Sequence, residues 1–161
     1  MNASLRSIGT IVIATALLPS TTGAQTCAAP PSINYPNNFV GNSCGQNLLP
    51  SLNHGTIFMP GDDVVFHLLA DHADWGASEA TVTSWDPNFH PALFLCSAPC
   101  GSDSQCVSAM DAGTADTAFV EIPYDHNDYY LIIDSQGGCG DYRLTVNGFS
   151  DEPVTEPDAK Q

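Results

Sequence analysis

From Gly55 onward the apolar residues fall in short runs cut by turn residues, and no window beyond the N-terminal segment holds a helical period. Asp63–Leu69 places Val64, Phe66 and Leu68 on one face of a strand, and Glu79–Trp85 alternates Thr and Val. Pro91–Cys96 is a compact apolar strand. Thr117–Ile122 sets Ala118, Val120 and Ile122 on one face, and Asp128–Asp134 and Asp141–Asn147 follow, the last with Tyr142, Leu144 and Val146 together. Gly55–Phe58 predicts a further short strand. Pro60-Gly61-Asp62, Asp86-Pro87-Asn88 and Pro123–Asn127 supply the breaks. Seven or eight short strands predict an all-β fold: an antiparallel β-sandwich of jelly-roll-like form, disulfide-linked. Within it, Tyr129–Val146 reads as two strands joined by a tight glycine-rich turn that carries Cys139, the closing hairpin of the sandwich.

The rest of the chain is patterned differently. Residues 25–54 are rich in Pro, Asn and Ser and predict a lead-in tied down by cysteines. Residues 55–148 predict the sandwich domain, and 149–161 an acidic disordered tail. Ser97–Thr114 is small, polar and cysteine-bearing, which predicts a long loop with room for a short turn of helix.

Residues 1–24 carry the marks of a secretory signal peptide: Arg6, the apolar run Ile8–Leu18, and the small residues Thr22-Gly23-Ala24 before a cleavage point. The run is shorter than the ~20 residues of a membrane span. Thr26 and Ala24 do not fit the positions that a lipidated Cys27 requires. The expected location is therefore secreted, periplasmic or cell-surface. All six cysteines (Cys27, Cys44, Cys96, Cys100, Cys106 and Cys139) follow the cleavage point, and an even count in an exported chain predicts disulfides. The spacing of Cys96, Cys100 and Cys106 superficially resembles a metal site, but an exported chain meets oxidants first. Many connectivities are open; the favoured one is Cys27–Cys44, Cys100–Cys106 and Cys96–Cys139.

Charge narrows the partners. The chain carries 18 acids against three Lys and Arg, a net charge of −15. Nucleic acid and anionic membranes are repelled. Cationic partners and divalent metals stay open, and the plain reading of the acidity is extracellular solubility.

No catalytic constellation stands out. There is no Gly-x-Ser-x-Gly elbow, His72, His90 and His126 lie in turns, and His67 lies within a strand. With so many acids, a carboxylate pair fit for a small exported hydrolase has little diagnostic value without a cleft. Asp71 and Asp74, and Asp125 and Asp128, lie in oxygen-rich loops that suit calcium, or that act simply as turn formers. Trp75, in a polar loop beside Gly76, and Tyr124 are candidates for stacking on a sugar or a protein. Trp85 is expected to pack in the core or at its rim.

Four blocks carry a family likeness. Gly61-Asp62-Asp63-Val64-Val65-Phe66, Asp86 with Ala92-Leu93-Phe94-Leu95, Tyr129-Tyr130-Leu131-Ile132-Ile133-Asp134 and Gly140–Val146 occur in that order. Together they resemble the bacterial pre-peptidase C-terminal domain, a β-sandwich related to collagenase collagen-binding domains. The spacer after Asp86 is longer than the family pattern. The resemblance implies a non-catalytic module appended to an exported enzyme, and some related collagen-binding modules bind calcium. No peptidase precedes the domain in this sequence, so the expectation becomes a secreted accessory or binding module. Its expected partner is an extracellular protein or polysaccharide, with a calcium-dependent carbohydrate- or protein-binding module as the alternative reading and a small exported carboxylate-dependent hydrolase as a further one.

Overall fold

The computed structural model describes residues 27–33, 37–45, 49–69, 78–110 and 116–148. Its strands are β1 (Ser32–Ile33), β2 (Asn37–Asn42), β3 (Ser51–Leu52), β4 (Ile57–Phe58), β5 (Val64–Leu68) and β6 (Ser78–Ser84). They continue with β7 (Pro91–Ser97), β8 (Cys106–Met110), β9 (Thr117–Ile122), β10 (Tyr129–Ser135) and β11 (Asp141–Gly148). A five-stranded sheet in the order β1-β5-β10-β7-β8 faces a four-stranded sheet in the order β2-β11-β6-β9, and β3-β4 form a separate small pair. The fold is an all-β sandwich. Pairing is antiparallel except between β1 and β5, which run parallel.

The two sheets differ in sequence for a physical reason. The four-stranded sheet buries one face only, so β6 and β9 alternate strictly between buried and open positions. Ala80, Val82, Ala118, Val120, Ile122, Tyr142, Leu144 and Val146 point inward, and Phe39 of β2 packs beside them. The five-stranded sheet is buried on both faces. Phe66, Leu68, Leu93, Leu95, Leu131 and Ile133 fill the space between the sheets. Val65, Ala92, Phe94, Cys96 and Ile132 face the other way, under Leu49, Leu52 and Met59. This second layer explains why β5, β7 and β10 read as near-continuous apolar runs.

Several expectations are corrected here. β10 and β11 are not a hairpin: β10 pairs with β5 and β7, and β11 with β2 and β6. The glycine-rich turn crosses from one sheet to the other, so the inward faces of its two strands meet across the core. Residues 25–54 contribute β1, β2 and β3. β2 escaped notice because its outward positions are Asn38, Val40 and Asn42, which blur the alternation. β8 falls inside the stretch read as a loop; Cys106 in β8 pairs with Cys96 in β7, and a register shift lies beside them.

The disulfides are Cys27–Cys100, Cys44–Cys139 and Cys96–Cys106, with no free cysteine, in place of the favoured pairing. Neighbouring strands set the last of these, and folding of the N-terminal segment onto distant loops sets the other two. Trp85 is 54% exposed rather than packed in the core. It lies just beyond the end of β6, where the chain leaves the sheet. Two glycines mark close approaches. A Cβ on Gly140 would sit 2.6 Å from Phe89 Cβ, and one on Gly41 would sit 2.7 Å from Tyr142 Oη.

Candidate functional site

Register places the described candidate binding residues, Tyr124, Asp125 and Asp128, at one end of the sandwich. Leu68, Tyr129 and Ser97 are aligned across the five-stranded sheet, and Ile122, Ser78 and Gly148 across the other. The connection from Ile122 to Tyr129 crosses between the sheets here. Asp71, Asp74 and Trp75 fall outside the described residues.

The 123–128 connection is built around Asp125. Its Oδ1 accepts the Asn127 backbone N–H at 3.0 Å, and its Oδ2 accepts the Tyr129 hydroxyl at 2.7 Å. This is the self-bonding typical of aspartate in turns. Burial, with the Asp125 carboxylate adding to it, pushes the Tyr129 phenol above its ordinary value. With Asp125 turned inward to bond Tyr129, Tyr124 is left projecting, 72% exposed. Asp128 Oδ2 lies 3.7 Å from His67 Nε2, and the His67 ring stacks on Tyr130 with centroids 4.9 Å apart. No group of three or more His, Cys, Asp or Glu suited to a metal ion occurs among the described residues.

The described histidine–carboxylate contacts are dispersed. His54 meets Asp103, His67 meets Asp128 and His90 meets Asp116, in three different parts of the fold.

At the opposite end the structure assembles a group that sequence reading missed. The β5–β10 ladder ends at Ile133 opposite Val64; one step further, Asp134 comes opposite Asp63. Asp134 is fully buried and Asp63 is 4% exposed. Asp134 Oδ1 accepts the Ser135 N–H at 2.6 Å, while its buried Oδ2 has no hydrogen-bond partner. Burial pushes the Asp134 carboxyl up to about 8; the charges of Asp63 and Asp62 add to the rise, and the Ser135 N–H opposes it. Around the pair, Leu49 N–H donates to Asp63 Oδ2 at 2.7 Å and Gly45 N–H to Asp62 Oδ2 at 3.0 Å. Gly61 N–H donates to Ser135 O, and Asp62 N–H to Gly138 O. A Cβ on Gly61 would sit 2.8 Å from Ser135 O, so the Pro-Gly-Asp turn needs its glycine to reach β10. The signal available in sequence was an aspartate at the end of each of two strands; their pairing depends on a register that sequence does not supply.

No family model and no curated protein matches the chain. Among solved structures it is similar to the pre-peptidase C-terminal domain of collagenase from Bacillus anthracis, with a TM-score of 0.47 and 13% identity over 73% of this chain and 93% of that one. It is also similar to the Yersinia pseudotuberculosis-derived mitogen, with a TM-score of 0.41 and 15% identity over 74% of this chain and 92% of that one.

Proposed function

We propose that this chain is an exported, non-catalytic binding module that meets an extracellular protein or polysaccharide through the end of the sandwich bearing Tyr124. The observation that carries the reading is the 123–128 connection. Its aspartate is spent on fixing the turn, and its tyrosine is held out, 72% exposed, on a rigid support. An exposed tyrosine offers a large apolar face together with a polar handle. Three disulfides fit an oxidising compartment.

The test is retention of the disulfide-intact chain on a panel of immobilised polysaccharides and extracellular matrix proteins. Tyr124→Ala should weaken retention about tenfold on the one that binds, with thermal stability unchanged. Retention on none of them, or hydrolysis of one of them that a single substitution abolishes, overturns the proposal.

A further inference from the structure

The segment Leu49–Met59 lies over the outer face of the five-stranded sheet, with Leu49, Leu52 and Met59 packed on Val65, Phe94 and Ile132. By strand alternation Asp63 shares the outward face of Val65, and Asp134 that of Ile132. The two carboxyls therefore sit beneath the end of this cover. Leu49 at the start of the cover is bonded to Asp63, and beyond its last residue Gly61 and Asp62 are bonded to the β10–β11 turn. Where the cover reaches the opposite end of the sandwich it is held differently: Asn53 and His54 N–H groups donate to Ser104 and Ser102 carbonyls, and Asn53 Oδ1 accepts from Cys106. We propose that the Asp63–Asp134 pair is a proton-operated latch, which holds one end of the Leu49–Met59 cover closed while Asp134 carries a proton and releases it when that proton leaves.

Apart from the Ser135 N–H, the described surroundings offer the ionised form no relief. From the β5 side Asp62 and Asp63 face it. From β7 the residue opposite Asp134 is Ala92, and from the cover come Leu49 and Met59. The β10–β11 turn contributes Ser135, Gly137 and Gly138, and Asp86 lies beside Gly140. Arg143, the one cation among the described residues, projects from the outer face of the four-stranded sheet, across the core. Asp63 Oδ2 accepts the Leu49 N–H, whereas the buried Oδ2 of Asp134 accepts nothing, which places the proton on Asp134. A second negative charge on Asp134 has Oδ2 buried and repelled by Asp63 and Asp62. Opening the cover lets water in, and also uncovers an apolar strip comprising Val65, Phe94 and Ile132. An exported chain experiences the pH of its surroundings directly, so the latch would report it.

The sign follows from linkage. Because Asp134 holds its proton more tightly folded than unfolded, the stabilisation is complete below about pH 4 and is lost progressively as pH rises from there towards about 8. Amide hydrogen exchange, corrected for intrinsic rates, tests this. Between about pH 5.5 and about pH 9, protection at Leu49, Gly61 and Asp62 should fall about tenfold or more, while Val82 and Leu144 stay constant. Asp134→Asn should hold protection at its acid level throughout. Equal loss in the variant, loss spread over the whole fold, or no loss in the wild type overturns the latch. Restoration at about pH 9 by calcium at about 1 mM also overturns it, because the pair would then be a cation site. Should Asp134→Asn fail to fold, the wild-type carboxyl resonance of Asp134 decides: a midpoint above about pH 7 supports the latch and one below about pH 5 rejects it.

Discussion

Tyr142 stands on the inner face of β11, 2% exposed, and burial pushes its phenol up to about 12. Ionising it in place would strand a charge in the core. The folded-state value lies above the ordinary one, so its contribution is complete below about pH 10 and is lost as pH rises towards about 12. Tyr142→Phe should therefore change stability little at neutral pH and remove a loss of about 2–3 kcal/mol across that alkaline window. Denaturant melts at a series of pH values measure this. Much at the residue scale was readable from pattern: Val64, Phe66 and Leu68, and Tyr142, Leu144 and Val146, share core-facing sides as alternation required. The Asp63–Asp134 pair was not readable. Each aspartate follows or precedes an apolar run like any strand-ending turn residue, and only the register across 71 positions of chain brings them together.

Among elements, the disulfides do unequal work. Cys44–Cys139 and Cys27–Cys100 close loops of 95 and 73 residues, whereas Cys96–Cys106 closes one of 10. On the loop-entropy account, replacing Cys44 and Cys139 together by alanine should cost about 4–5 kcal/mol, and replacing Cys96 and Cys106 about 2–3 kcal/mol plus lost packing at the buried Cys96. Chemical denaturation of the two double variants gives the ranking directly. The elements also show where sequence patterning stops. β6 and β9 declare themselves because one face is wet. β5, β7 and β10 are plain as strands, but their second buried face shows only as missing alternation. The Gly137–Gly140 turn reads as a hairpin in sequence because glycine permits sharp reversal, yet permissive backbone does not specify whether the next strand pairs with the last or crosses to the facing sheet.

For the whole molecule, net charge is the dominant global quantity. A chain at −15 repels itself when compact, and added salt screens that repulsion. Raising ionic strength from about 10 mM to about 300 mM should raise Tm by a few degrees; a fall would mean that favourable ion pairs outweigh the repulsion. The dispersal of Asp and Glu over strand faces and loops, with Arg143 the one described cation, makes the former the expected result.

The position of β10 and β11 within their sheets carries a consequence for biogenesis. β10 is flanked by β5 and β7, and β11 by β2 and β6, so the last two described strands in chain order are interior members of both layers. A nascent chain that has emerged only as far as β9 has a gap in the middle of each sheet, and Cys44 still awaits Cys139. Nothing resembling the finished sandwich can close until Gly148 is available. Both layers of the sandwich are therefore completed by the last two described strands.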